Sequence, residues 1–452
     1  MHVHQVDFSQ GKVSSCILKL SFPLIVAEIV NLLYNMVDRI YIGHIQDIGS
    51  IALTGLGLCF PIISLISAFA RLYGFNGGAP LASIARGRGD GEEASYVMGN
   101  SICLAIITGM IIEAIVLAFS KPILYAFGAS DASYEYASSY LRIYALGTVP
   151  VLLTLTMNAF INSQGFSSIG MLSVLIGAVS NIILDPILIF VLDFGVKGAA
   201  IATVISQSLS ALFAFTFLTG RNAVLRLDLK HMKLRRERVI KIVVLGTSGF
   251  TMGATNSIVQ LVCNKVAFIW GGDLYVGVMT ILNSVREIFS TPINGVGSGA
   301  SPVMSYNYGA GNGKRVRGAS NFMLLSCLAI SLAVWTLVFS FPRSMARLFT
   351  SDPLMLEASV SALRIYFFGF VFMSFQTSGQ QTFVALGKAK QAIFFSLLRK
   401  VIIVVPLTIL LPYIFGIDGV MLAEPISNVV GGLAAYLTMR HVVMPELRRL
   451  EH

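Results

Sequence analysis

Apolar runs close to twenty residues long recur along the entire chain, and each is long enough to cross the ~30 Å of hydrocarbon in a bilayer. Backbone groups in lipid must be satisfied internally, so runs of this length are expected as helices. The composition agrees. Of 452 residues 55% are hydrophobic and 12% charged, where a soluble chain carries about 25% charged residues. The expected fold class is therefore an all-α polytopic membrane protein. Reading the runs together with their glycine and proline breakers gives twelve spans, at 16–42, 52–84, 95–119, 137–163, 168–191, 196–219, 239–269, 274–308, 318–341, 357–386, 391–413 and 417–440. Spans 52–84 and 274–308 are overlong and rich in Gly and Pro, so a kink or an early end is expected in both. The first fifteen residues carry His2, His4, Asp7 and Lys12 with no small-residue cleavage site, so the first span reads as retained rather than as a cleaved signal.

Lys and Arg set the orientation. One side of the predicted bundle collects Lys12, Lys19, Arg86, Arg88, eight basic residues between Arg221 and Lys241, Lys314, Arg315, Arg317, Lys388, Lys390, Arg440, Arg448 and Arg449. The other side has Lys121, Lys197, Arg343 and Arg347. Twenty against four places both termini in the cytoplasm, with the protein in the cytoplasmic (inner) membrane. The net charge of +10 is then topology, not the footprint of a nucleic-acid binder. The basic block 220–238 reads as a cytoplasmic linker rather than a lipid-binding switch. Five cysteines, an odd number without metal spacing, read as small packing residues.

The chain repeats itself. "LRIYALG" at 141–147 returns as "LRIYFFG" at 363–369, and "GGAPLASIARGRGDG" at 77–91 pairs with "GASPVMSYNYGAGNG" at 299–313. "GVKGAAIATVIS" at 195–206 pairs with "GIDGVMLAEPIS" at 416–427. All three anchors share an offset of 221–222 residues. The expected organisation is thus an N-terminal six-helix lobe at 1–219, the linker at 220–238, and a C-terminal six-helix lobe at 239–452. Six is even, so both lobes enter the membrane in the same sense, a parallel repeat of the kind carriers use.

Ionisable residues inside the spans are functional candidates because each is costly in lipid. The first lobe carries Glu28, Asp38, Arg39, Arg71, Glu113 and Asp185; the second carries Lys265, Arg286, Glu287, Arg399, Lys400 and Glu424. Counted from the predicted span ends, Asp38, Asp185 and Thr203 all lie ~8–11 Å below the outer surface. Asn181 is one turn deeper on the Asp185 face. Two carboxylates, an amide and a hydroxyl at one depth make an oxygen-rich site suited to a proton or a hard cation such as Na+. The alternative is a structural ion pair of Asp38 with Arg39 or Arg71. Polar stripes at helical spacing mark candidate cavity walls: Asn31, Tyr34 and Asn35 leading to Asp38, Asn158 with Asn162, Asn283 with Glu287, and Gln380. Asn158 and Gln380 correspond across the repeat. Arg399 and Glu424 read as a structural pair.

These residues also carry a resemblance. "VDRIYIG" after span 1, "GRGDGEEA" after span 2, "NAFINSQG" ending span 4, "SNIILDPILIF" in span 5, "GAAIATVISQ" opening span 6, "SYNYGAGN" after span 8 and "AEPISN" in span 12 resemble, in that order, the multidrug and toxic compound extrusion (MATE) transporters, most closely their DinF-like bacterial branch. The resemblance spans essentially the whole chain. It implies two six-helix lobes and cation-driven antiport, by H+ or Na+, of organic and mostly cationic drugs or toxic compounds. It also implies that the coupling cluster of the DinF-like branch falls on Asp38, Asn181, Asp185 and Thr203, with Asn158 lining the same cavity. The NorM-like branch carries acids in spans 7 and 10; here span 7 offers Asn256, Gln260 and Asn264, and span 10 has no acid between Phe367 and Leu386. Glu287 is left without a family role.

Two other carriers compete: a major-facilitator type, and a lipid-linked oligosaccharide flippase, which would show more buried Arg and Lys in its cavity. An enzyme is not expected, since there is no HExxH, no Walker loop and no histidine in any span. The expected partners are small organic cations, H+ or Na+ and the bilayer. Nucleic acid, resident cofactor and structural metal are not expected, and a monomer is.

Overall fold

The computed structural model describes residues 5–45, 49–127 and 129–451, without the side chains of residues 49, 50, 54, 132 and 257. Nine helices are long and apolar enough to span a membrane, and two bent helix pairs qualify when each is taken as one span. One of the nine, Arg236–Gly309, is broken at Gly272, whose φ of 65° and ψ of −164° are open only to glycine. It therefore supplies two spans, and the total among the described residues is twelve. The fold is all-α, with twelve transmembrane helices.

The expected interruption of the second span is present. Helix Gly49–Tyr73 passes through a π-helical turn, Gly74–Gly78, into Ala79–Gly87. Here glycine is a matter of space: a Cβ on Gly77 would lie 2.2 Å from the Leu72 carbonyl oxygen and 2.6 Å from that of Ile242. The eighth span carries Pro292 and Pro302 and stays helical through to Gly309.

The sequence repeat is written in the backbone. Left-handed glycines recur in register: Gly89 with Gly311, Gly165 with Gly387, and Gly195 with Gly416. Asp90 and Asn312 cap the third and ninth spans alike, their side chains accepting from the N–H of Glu93 and Arg315 at 2.8 and 3.1 Å. The two shared "LRIY" motifs lead into the two bends, 54° between Ser133–Leu146 and Thr148–Ser163 and 42° between Pro353–Phe367 and Phe370–Ala385. At the second bend Gly369 lies so close to the twelfth span that a Cβ would meet the Pro425 carbonyl oxygen at 2.5 Å. Gly369→Ala should accordingly cost about 1–3 kcal/mol of stability. Gly318→Ala, whose added methyl meets nothing within 4 Å, should be neutral or mildly stabilising. Thermal melting of the two purified variants checks this, and equal melting temperatures would contradict it.

The chain divides into two compact units, one holding Val26–Gly246 with the residues up to Asp7, the other Phe8–Ile25 with Thr247–His452. The sequence placed the border at the basic linker. The structure places it inside the seventh span and gives the first half of span 1 to the second unit. The linker stays with the first unit because polar side chains hold it there. Asn100 donates to the carbonyls of His231 and Lys233 and accepts from the Arg235 N–H. Gln164 accepts from the Leu225 N–H at 2.7 Å, and Glu93 accepts from Nε and Nη2 of Arg238. In the second unit, Asn307 and Arg315 donate to the carbonyl of Phe8, which fixes the start of the chain.

Candidate functional site

Of the twelve ionisable residues in the spans, four are buried: Asp38, Asp185, Lys400 and Glu424. Glu28, Arg39, Arg71, Lys265 and Glu287 are exposed. The buried four form one cluster in each unit, and the two clusters are built on opposite principles.

In the first unit, Asp38 lies near the end of Val13–Gly43, and Asp185 sits directly before Pro186, where Ser167–Pro186 passes into a π-helical turn, Ile187–Val191. Pi-turns inside helices concentrate at functional sites. Asp185 is fully buried, and Asn181, one turn earlier, donates its Nδ2 to Asp185 Oδ1 at 3.2 Å. Asp38 and Asp185 are close enough to interact electrostatically, and Tyr34 is within the influence of both. Tyr140 lies within electrostatic range of Asp38, and the Thr203 hydroxyl donates to Ala199 O at 3.0 Å. Of the four residues predicted as a cluster, Asn181 and Asp185 are hydrogen-bonded and Asp38 is electrostatically coupled to Asp185, while Thr203, buried in the same unit, bonds to its own helix.

Neither acid takes part in an ion pair among the described residues. The Arg39 guanidinium lies over the Phe60 ring instead, 4.4 Å from its centroid. One oxygen each of Asp38, Asp185 and Asn181 is buried without a hydrogen-bond partner. Buried acceptors left open in this way cost stability unless something donates to them. Tyr140 and Tyr144 are what sequence reasoning missed. Stacked at 5.9 Å, they look like ordinary packing in an apolar helix; their i, i+4 spacing before Gly147 was the available signal.

The remaining first-unit candidates are arranged along the helices. Asn31, Tyr34 and Asn35 are partly exposed on the Asp38 helix, and Asn35 donates back to Asn31 O at 2.6 Å. Asn158 donates to Ser173 Oγ at 3.4 Å. Ser173 precedes Asn181 by eight residues and Asp185 by twelve on one helix, so Asn158 meets that helix about 18 Å along from Asp185. It is not in the same layer.

In the second unit, Asn283, Glu287 and Gln380 line a cavity of about 340 Å³ together with Arg286, Arg399, Lys400 and Glu424. Gln380 also ties the eleventh span, donating to Ala392 O and Ser396 Oγ, both at 2.9 Å. The predicted pair Arg399–Glu424 is part of a larger network. Glu424 Oε1 accepts from Arg286, Arg399 and Lys400, each at 3.1 Å, and Oε2 accepts from Lys400 at 3.3 Å. Arg399 and Lys400 come from a π-helical turn, Leu398–Val404. That widened turn lets two adjacent side chains reach one carboxylate. Spacing alone could not reveal this, because Arg286 is 138 residues from Glu424 in the chain.

The pattern of the MatE family matches residues 23–187 and 250–410. The multidrug export protein MepA of Staphylococcus haemolyticus is 27% identical over 441 residues, covering 96% of this chain and 94% of that protein. MepA of Staphylococcus aureus is 26% identical over 432 residues, covering 95% and 94%. Among solved structures, a transporter of the MOP superfamily from Pyrococcus furiosus, described as having a binding pocket of reverse polarity, superposes with a TM-score of 0.91 at 25% identity, covering 99% of each chain. An outward-facing multidrug resistance transporter superposes equally well, at 25% identity over 99% of this chain and 98% of that one.

Proposed function

The chain belongs to the MATE family, a group of multi-pass membrane transporters, and on that premise we propose that it is an antiporter that exports organic compounds, drugs among them, against an inward flow of H+ or Na+. The buried carboxylates of the first unit carry this reading. Asp38 and Asp185 are near one another, form no ion pair among the described residues, and each keeps an oxygen without a donor. A shared proton or a bound cation relieves both the repulsion and the open acceptors. A hard ion would find oxygen ligands on Asp38, Asn181, Asp185 and Thr203, the donor set Na+ prefers. An organic cation is favoured by the same charges and is excluded once the ion has neutralised them, which couples the two flows. The DinF-like branch is the proposed place within the family, since the acids lie in the first unit.

Competition is the test at the level of binding. Raising external H+ or Na+ should weaken ethidium binding to the purified protein, and should leave binding to Asp38→Asn unaffected. Affinity in the wild type indifferent to both ions contradicts competition at this site. The same reading puts both termini and the basic linker in the cytoplasm of an inner-membrane protein. A cysteine introduced at Asn222 should be labelled only from the cytoplasmic side and one at Ala129 only from outside; the reverse labelling contradicts this topology.

A further inference from the structure

The repeat sets two clusters of opposite sign at corresponding places. Thr203 and Glu424 correspond at the offset of the "GAAIATVIS" and "GVMLAEPIS" segments, and Tyr144 and Tyr366 at that of the "LRIY" motifs. The first unit, which holds Thr203, carries two carboxylates outside any ion pair among the described residues; beside Glu424 lie three cations. One carboxylate does not neutralise three cations in a membrane interior, where uncompensated charge is costly.

The three cations are not equally engaged. Lys400, 2% exposed, donates to both oxygens of Glu424 and is fully committed to that pair. Arg399 divides its Nη1 between Glu424 and Asn428. Arg286 gives Glu424 a single Nη1 bond, and its side chain is 28% exposed toward the cavity it lines. A guanidinium with free N–H groups in a fixed fork matches the paired oxygens of a carboxylate or phosphate. The cavity, at about 340 Å³, is within the size range of small-molecule sites. Two of its amides add a second requirement: Gln376 Oε1 and Gln380 Oε1 are buried acceptors with no donor.

We propose that the second unit's cavity binds an organic anion, its carboxylate or phosphate group held by Arg286 and its hydroxyl or ammonium groups donating to Gln376 and Gln380. Glu287, exposed at the same cavity, favours an occupant that carries positive charge or hydroxyls at its other end. The exported compounds would then include zwitterions and acids besides cations. The inference rests on the exporter reading only in calling the occupant a substrate; the binding itself is measured without any gradient, so failure of anion binding and failure of ion-driven efflux are separate results.

The experiment uses the full-length protein in phosphatidylcholine nanodiscs and follows fluorescein, a carboxylate dye, by fluorescence polarisation. Benzoate, glucose 6-phosphate and phosphatidylglycerol in the disc serve as competitors for a free carboxylate, a free phosphate and a lipid headgroup. Wild type should bind fluorescein saturably, and the competitor that displaces it identifies the source. Arg286→Met should weaken binding about tenfold or more, and Arg286→Lys should recover part of it, with ethidium binding unchanged in both. Should Arg286→Met fail to fold, Gln376→Leu carries the test, with weaker fluorescein binding expected. Absence of saturable binding in wild type, affinity untouched by the folded variants, or displacement by chloride alone overturns the proposal.

Discussion

Asp38→Asn and Asp185→Asn should each abolish gradient-driven efflux while leaving the protein inserted and folded. The two expectations have one source. Neither carboxylate is part of an ion pair among the described residues, so an amide of the same shape removes no salt bridge from the fold. It even removes a charge from a buried position, which lowers the cost of burial. What is lost is the capacity to take up a proton or chelate a cation. Asn181 already donates to Asp185 Oδ1, and an asparagine at 185 can still accept that bond through its carbonyl oxygen. Efflux of ethidium from vesicles containing each variant reads the outcome, and circular dichroism with melting shows that the fold is kept. Full transport by both single variants would remove these acids from the mechanism.

Glu424→Gln should do the reverse, acting on stability first. Glu424 is 6% exposed and receives Arg286, Arg399 and Lys400 at once. Neutralising it leaves three cations facing one another without a counter-charge. Removing one partner of a buried pair costs about 3–5 kcal/mol, and the melting temperature should fall by several degrees. The double variant Glu424→Gln with Lys400→Met removes the most buried cation as well and should recover a large part of the loss, a coupling that independent sites would not show. A Glu424→Gln protein as stable as wild type would show that the network is not holding the second unit together.

These two clusters also mark how far the sequence could be read. The spans and the repeat were legible because they are written in local patterns: hydrophobic run length, and motifs at one offset that reappear as paired left-handed glycines and paired bends. The acid pair was expected because depth along a helix is arithmetic, and Asp38, Asn181, Asp185 and Thr203 are each a fixed number of residues from a predicted span end; the structure adds the Asn181–Asp185 hydrogen bond. Asn158 was assigned to the same cavity by resemblance; the structure adds its contact with Ser173, a level along the helix that no resemblance supplies. Arg286, Arg399 and Lys400 around Glu424 were out of reach as a set, because they converge from three spans and through a π-turn that no periodicity announces. The linker was read from composition as a basic tether; its backbone is instead held by Asn100, within the third span, and Gln164, at the C-cap of the fourth.

The central claim is that an ion flowing inward through the first unit drives an organic compound outward. The most direct measurement uses purified wild-type protein in sealed liposomes loaded with ethidium, with a proton gradient and a sodium gradient imposed in separate experiments at matched membrane potential. The account predicts that at least one of the two gradients accelerates ethidium transport in wild type, and that the same gradient leaves Asp38→Asn at the rate of protein-free liposomes. Transport that proceeds at one rate with either gradient, with both and with neither would contradict it.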